Sequence, residues 1–198
     1  MRTEERIKKV AIELFAKYGF VRASIRDIVK EVGVTSATFY IHFKTKHDLL
    51  YQIIEGIGTT LIEEMERVVQ NQPDPVKCLK EMIVTHVCLV KKRWKEVKIY
   101  MEELYQLTPK LEKRALQQHR RIYDIYKQKI LEVEEVAGWV SPLNESVATF
   151  AIFSMMNWTY QWFKNNGSLS IEEIANQIVR IYFNGIACQQ GVNKEVIE

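Results

Sequence analysis

Residues 33–43 constrain the fold of this chain more than any other segment. They follow a stretch, residues 24–32, whose apolar side chains fall on one side of a helix. Gly33 provides a turn, and a second short helix follows with Phe39 and Phe43 on its inner face. Two short helices joined by a glycine-containing turn predict a helix-turn-helix, whose second helix enters the major groove of DNA.

Small polar residues mark where these helices begin. Ser24 is followed three residues later by Asp27, a capping-box pattern in which each side chain bonds a free backbone N–H group. Thr35 is the expected N-cap of the second helix of the motif. Gly19 ends an earlier helix whose apolar residues recur at helical spacing. The first fifty residues therefore predict a compact three-helix unit with its own small core.

Positive charge is concentrated in the same segment. Residues 1–50 contain ten Lys or Arg and six Asp or Glu, whereas the remaining residues contain eighteen and nineteen. The whole net charge of +3 therefore originates in the N-terminal segment. Binding to DNA phosphates requires such an excess, so the charge distribution agrees with the helix-turn-helix interpretation.

The rest of the chain predicts an all-α protein. Among 198 residues, 47% are hydrophobic, there are only four Pro and eight Gly, and helix-period patterns continue throughout. We expect a DNA-binding domain over residues 1–47 and a larger helical domain over residues 48–198. Start signals at Pro75, Pro109, Ser141-Pro142 and Ser170 predict further helices over residues 75–93, 94–107, 109–136, 141–165 and 170–190.

Composition and motifs argue against several other classes of protein. No stretch approaches the ~18 uninterrupted apolar residues of a membrane span, and the first residues lack the apolar core of a signal peptide. Cys78, Cys88 and Cys188 show no paired short spacing, which indicates reduced thiols. No glycine-rich phosphate loop, metal-ligand spacing or nucleophile motif of an enzyme occurs. We expect a cytoplasmic protein without catalytic residues, metal ion, cofactor or membrane partner.

The last two predicted helices carry more apolar surface than one core can cover. A helix that is apolar nearly all round must be covered on both sides, so we predict a homodimer through these helices. A two-fold dimer also suits the paired half-sites of an operator. In the helix predicted over residues 141–165, one apolar face contains Val147, Phe150, Ala151, Ser154, Met155 and Trp158. The other sides of that helix contain Ile152, Phe153, Met156, Trp162 and Phe163.

Aromatic and Met side chains recur at helical spacing through the middle of the chain. Gln118 and His119 interrupt an apolar stripe there, as expected where a cavity receives a polar ligand group. The same break is expected where a helix leaves the core for water, and plain core packing is the alternative for the aromatic residues. The candidate ligand-binding residues are Trp94, Met101, Leu104, Gln118, Tyr123, Tyr126, Met155 and Trp158.

The N-terminal quarter of the chain resembles the TetR family of bacterial transcriptional regulators. One departure is Ala37, where the family usually has Gly, and it concerns which operator is read rather than DNA binding itself. The resemblance is carried by the order and spacing of Ala11, Leu14-Phe15, Gly19-Phe20, Ile25, Ile28, Gly33-Val34, Thr38, Tyr40, His42-Phe43, Lys46 and Leu49-Leu50.

Within this motif, the first turn of the second helix is placed to contact base edges, and later polar residues are placed to contact phosphates. Tyr40, His42 and Lys46 are the expected phosphate contacts, while Ser24 both caps its helix and reaches a phosphate. The candidate DNA-binding residues are Ser24, Thr35, Ser36, Ala37, Thr38, Tyr40, His42 and Lys46.

The resemblance implies an effector-responsive regulator, taken to be a repressor, that binds a palindromic operator in double-stranded DNA as a dimer and is released by a mainly apolar ligand. Its C-terminal domain then binds the effector and forms the dimer. Residues 156–163 and 167–175 are similar to the branch that responds to acyl-CoA. The alternatives are a TetR-type regulator of an unrelated hydrophobic or cationic drug-like compound, and a ligand-independent DNA-binding protein.

Overall fold

The computed structural model describes residues 1–137 and 144–186, and within these ranges it contains helices and no strand. The all-α prediction is confirmed. None of the described helices is long and apolar enough to cross a membrane. The helices are α1 (Thr3–Tyr18), α2 (Ile25–Val32), α3 (Ser36–His42), α4 (Lys46–Asn71), α5 (Pro75–Lys92), α6 (Trp94–Glu103), α7 (Pro109–Ala137), α8 (Glu145–Asn157), α9 (Thr159–Trp162) and α10 (Ile171–Ile181).

The predicted caps define the helix-turn-helix. The Asp27 N–H group donates to Ser24 Oγ at 3.2 Å, and the Ser24 N–H group donates to Asp27 Oδ2 at 3.0 Å. Thr35 Oγ1 accepts from the backbone N–H group of Thr38 at 3.1 Å. Gly33 ends α2 in the left-handed conformation at φ 75°, which is easily adopted only without a Cβ atom. Local sequence thus determines both ends of the turn between α2 and α3.

Several predicted helix boundaries were wrong. The single helix expected over residues 141–165 is interrupted where α8 gives way to α9, and at this point the Thr159 hydroxyl donates to the Met156 carbonyl at 2.6 Å. Residues 94–107 form α6 and a separate 3₁₀ turn, Leu104–Gln106. After α10 the chain widens into a short π-helical segment, Tyr182–Ile186. The start signal at Ser141-Pro142, the expected end at residue 190 and Cys188 lie outside the described residues.

The chain divides into two compact units, to which α4 and α7 both contribute. The first unit comprises Met1–Thr60 and Arg93–Arg120, and the second comprises Leu61–Lys92 and Arg121–Glu198. The expected boundary at residue 47 stays a prediction about DNA-binding function, because the first compact unit extends beyond it. Two hydrogen bonds hold the second segment of this first unit to its first segment. Glu103 Oε1 accepts from the Phe20 N–H group at 2.9 Å, and Lys98 Nζ donates to the Ala16 carbonyl at 2.9 Å.

Each unit has its own hydrophobic core. In the first, the fully buried residues come from α1 to α4 and are joined by Ile99 of α6 and Ala115 of α7. In the second, α4, α5, α7, α8 and α10 contribute to a core that contains the polar pair His86 and Tyr126. The Tyr126 hydroxyl lies 3.1 Å from His86 Nδ1 and donates to the Met82 carbonyl at 3.2 Å. Burial lowers the pKa of His86 to about 4, so the imidazole is neutral at pH 7.

Gly58 allows α4 and α7 to approach closely within the first unit. A Cβ atom at this position would lie 2.1 Å from Gln118 Oε1. The Gln118 amide donates from Nε2 to the Glu55 carbonyl at 3.1 Å and to Thr59 Oγ1 at 3.0 Å, so moving this amide away from an added Cβ atom would disturb both hydrogen bonds. Glycine at residue 58 is therefore favoured by packing rather than by backbone conformation.

Gly58→Ala is expected to lower the free energy of unfolding by about 1 kcal/mol, because the lost hydrogen bonds outweigh the better helix propensity of alanine. Gly56→Ala is the matched control, since no atom lies within 4 Å of its Cβ position. There the same change should raise the free energy of unfolding by about 0.5–1 kcal/mol. Urea denaturation measures both values. Equal stabilisation by the two substitutions would contradict the close approach.

Candidate nucleic-acid interface

Helix α3 is held by two phenylalanines and exposes its opposite face. Phe39 and Phe43 are completely or almost completely buried in the core of the first unit, and their ring centroids lie 5.4 Å apart. Because α3 has only seven residues, packing rather than helix propensity fixes its orientation. The side chains exposed on the other face are Ser36, Ala37, Tyr40 and Ile41.

The structure brings the predicted base-contacting residues together on this exposed face, with one difference. Ser36 and Ala37 are exposed, whereas Thr38 is half-buried and its hydroxyl lies 3.0 Å from that of Thr35. Ile41, which sequence reasoning missed, is 78% exposed, compared with 56% for Tyr40. Its position four residues after Ala37 was the available signal, since residues at this spacing share a helix face.

The capping hydroxyls are already engaged within the motif. Ser24 Oγ donates to Asp27 Oδ2 at 2.6 Å, and the same interaction lowers the pKa of the Asp27 carboxyl. The hydroxyl proton of Ser24 is therefore not available to a phosphate while the cap is intact. Thr35 Oγ1 also takes part in a cap, because it accepts from the Thr38 N–H group. Both residues shape the helix ends, and their contact with DNA stays a prediction.

Lys46 serves a structural role that its sequence position did not reveal. Its Nζ donates to the carbonyls of Phe20 at 2.7 Å and Ala23 at 2.9 Å, and it lies 4.1 Å from the centroid of the Phe20 ring. Burial lowers the pKa of this ammonium group. Of its three N–H bonds, at most one remains for a phosphate. Lys46 therefore fixes the turn between α1 and α2, and its contact with a phosphate stays a prediction.

Basic side chains surround the C-terminal end of α3. His42 is half-buried and, together with Lys8 and Lys44, lines a groove of about 660 Å³ in the first unit. Asp48 and Glu55 also line it, so the groove carries both signs of charge. Lys44 is exposed immediately after α3 and was not among the predicted contacts. Its place in the positively charged N-terminal segment was the signal for it.

The eight candidate ligand-binding residues are divided between the two units. Trp94, Met101, Leu104 and Gln118 belong to the first. There, Leu104 is a core residue, whereas Trp94 is partly exposed and lines a separate shallow pocket. Gln118 Nε2 is occupied by its hydrogen bonds to α4, whereas its buried Oε1 has no hydrogen-bond partner among the described residues. Met101 is half-buried, so the four residues do not share one environment within the first unit.

The other four candidates belong to the second unit, where their environments also differ. Tyr126 is completely buried beside His86, and the Tyr123 hydroxyl donates to Ser146 Oγ at 2.9 Å. Met155 packs against the core of the unit. Trp158 is more than half exposed, with its ring against Tyr160. Helical spacing thus did not distinguish core positions from surface positions, and ligand binding by the eight residues stays a prediction.

Comparison with known families identifies the chain. Residues 7–53 match the family of bacterial regulatory proteins described as the tetR family, and residues 72–186 match the tetracyclin repressor-like C-terminal domain. The chain belongs to the TetR family. The resemblance predicted from motif spacing is confirmed, and with it the helix-turn-helix. TetR proteins are DNA-binding transcriptional regulators and not enzymes.

Individual TetR proteins resemble this chain over nearly its whole length. The transcriptional repressor KstR2 of Mycolicibacterium smegmatis is 23% identical over 193 residues, covering 94% of this chain and 92% of KstR2. The fatty acid metabolism regulator protein of Bacillus subtilis is 22% identical over 177 residues, covering 89% and 91%. AibR, solved in complex with isovaleryl coenzyme A and operator DNA, has a TM-score of 0.83 and 26% identity, covering 91% of this chain and 97% of AibR.

Tyr40 and Lys46 of this TetR protein are expected to respond differently to substitution. Tyr40→Ala should weaken operator binding about tenfold, because a hydrogen bond to a charged phosphate is lost, and should leave the free energy of unfolding unchanged. Lys46→Met should weaken operator binding and also lower the free energy of unfolding by about 2 kcal/mol, because two backbone carbonyls lose their donor. Operator affinity is measured by fluorescence anisotropy on a duplex selected from random sequences. The free energy of unfolding is measured by urea denaturation.

Tyr105→Ala is the control, because Tyr105 is an exposed tyrosine of the same unit outside α3. It should change neither quantity. Unaltered stability of Lys46→Met would contradict the structural role of the ammonium group. Unaltered operator affinity of Tyr40→Ala would contradict the placement of α3 on DNA.

Proposed function

We propose that this TetR protein is an effector-responsive transcriptional repressor that acts in the cytoplasm. It binds a palindromic operator as a homodimer and is released by a mainly apolar ligand such as an acyl-CoA. The observation that carries the proposal is the exposed face of α3, held outward by the buried pair Phe39 and Phe43 in the first unit. A short helix anchored in this way can enter the major groove without distortion of its core.

The outward face of α8 supports the proposed homodimer. Its inner side chains, including Ile152 and Phe153, are buried, yet Val147, Phe150 and Trp158 beyond them are all more than half exposed. An apolar surface on one helix face marks an interaction site, and a two-fold axis can cover it with the same face of a second copy. The outward side of α10 is mainly polar, so α8 supplies most of the proposed contact.

An acyl-CoA effector is supported by relatives and by the core of the second unit. AibR was solved with isovaleryl coenzyme A, and the Bacillus subtilis relative regulates fatty acid metabolism. In this chain, the neutral pair His86–Tyr126 lies in an apolar core beside Met82 and Met156. Thioether side chains adapt their shape readily, and a neutral hydrogen-bonding pair suits a carbonyl such as that of a thioester. Among the candidate ligand-binding residues, Tyr126 is thus the best supported.

Acyl-CoAs of increasing chain length, titrated into the protein–operator complex, are expected to release the DNA at stoichiometric concentration. Fluorescence anisotropy on the selected duplex measures the release, and free coenzyme A serves as the ligand control. Tyr126→Phe should leave operator affinity unchanged and raise the acyl-CoA concentration needed for release about tenfold, because one hydrogen bond is removed without a change in packing.

Three results would distinguish the alternatives. Tight operator binding that no thioester disturbs would exclude acyl-CoA, and release by drug-like compounds would then support a different hydrophobic or cationic effector. Binding that no ligand of either class disturbs would support a ligand-independent DNA-binding protein. Turnover of the thioester would contradict stoichiometric sensing.

Phe150→Glu is expected to convert the proposed dimer to a monomer and to weaken operator binding, because a charge is placed on the apolar face of α8. Leu116→Glu is the matched control, since Leu116 is an exposed apolar residue of α7 in the first unit. Sedimentation equilibrium measures the association state, and thermal unfolding verifies that each variant is folded. A wild-type monomer, or a Phe150→Glu dimer of unchanged affinity, would contradict the proposed interface.

A further inference from the structure

Helix α3 carries an apolar side chain that neither the core nor phosphate binding explains. Ile41 is 78% exposed, the highest value among the large apolar side chains that the structure describes. It cannot donate or accept a hydrogen bond, so it cannot hold a phosphate or read a polar base edge. Yet it lies on the outward face of the helix, beside Tyr40.

Ile41 forms a small apolar surface with Ala37. The two residues are four positions apart, so they lie on the same helix face about 6 Å apart along the axis. Both are exposed, and Phe39 and Phe43 hold the opposite face in the core. The surface is therefore rigidly presented. Six angstroms corresponds to about two base-pair steps, so the two side chains can reach base pairs up to about two steps apart.

We infer that Ile41, together with Ala37, reads the C5-methyl groups of thymines in the operator. This inference rests on the proposed function, in which α3 lies in the major groove. The occupant follows from chemistry, because thymine is the base that presents an apolar group on its major-groove edge. Two further observations favour DNA as the partner of this surface. The surface is part of the DNA-binding motif, and the positive charge of residues 1–50 suits a polyanionic partner.

This assignment defines a specificity determinant within the TetR interface. The polar residues of α3 then position the helix, while Ile41 selects A·T pairs at one or two places in each half-site. Ala37 contributes a smaller apolar contact. Its methyl group adds to the apolar surface of Ile41, whereas a glycine at this position would add no side-chain atom. Operators with G·C at those places would lose this contact without any change in phosphate contacts.

The test combines a protein variant with a single-methyl change in the DNA. Each thymine of the selected duplex is replaced in turn by deoxyuridine, which lacks only the C5-methyl group. For the wild-type protein, we expect about a fourfold loss of affinity at one or two thymines per half-site, the value of one buried methyl-sized group. Ile41→Ala should bind the thymine and deoxyuridine forms equally at the thymine that Ile41 contacts, while a thymine contacted by Ala37 alone keeps its effect. Fluorescence anisotropy measures every combination.

Val21→Ala is the matched control, because Val21 is a 72% exposed β-branched residue of the same segment outside α3. It should retain the full deoxyuridine effect. A wild-type protein insensitive to every replacement, or an Ile41→Ala protein with the wild-type loss, would overturn the inference and leave the proposed repressor intact. A wild-type protein that selects no duplex would overturn the proposed function and this inference with it.

Discussion

The burial of Phe39 and Phe43 is the interaction on which the function of the first unit depends. A helix of seven residues has too few internal hydrogen bonds to be stable alone, so these two rings provide its stability and its orientation. Because each residue turns the helix by a fixed angle, burying one face determines which side chains face outward. The polar and apolar character of the exposed face then follows from sequence alone.

The second unit also contains a helix with one buried face, but the opposite face of that helix is apolar. Helix α8 buries one apolar face in its own core and exposes another, so folding of one chain leaves apolar surface in water. The neutral pair of His86 and Tyr126 places hydrogen-bonding capacity inside that core, at a position where each group already has a partner. A polar pair that is hydrogen-bonded in this way keeps the core specific. Under the proposed function, the same pair would exchange one of these partners for the ligand.

Local signals allowed much of the fold to be predicted from the sequence. The caps at Ser24, Thr35 and Ser170 depend on residues within one turn, and all three were found where expected. The role of Lys46 was not predictable, because its carbonyl partners lie more than twenty residues earlier in the chain. Likewise, helical periodicity identified the face of each candidate ligand residue but not its neighbours, so residues of two separate units were grouped together.

The first unit is built from two separate stretches of chain, and this limits how it can be exchanged. Phe20 relies on Glu103, and Gly58 faces Gln118, so residues before 60 and after 93 fit one another as a pair. A chimaeric regulator that received only residues 1–47 from another protein would join unmatched halves of one core. The unit of modular exchange in this protein is therefore the set of both segments, and not the DNA-binding motif alone.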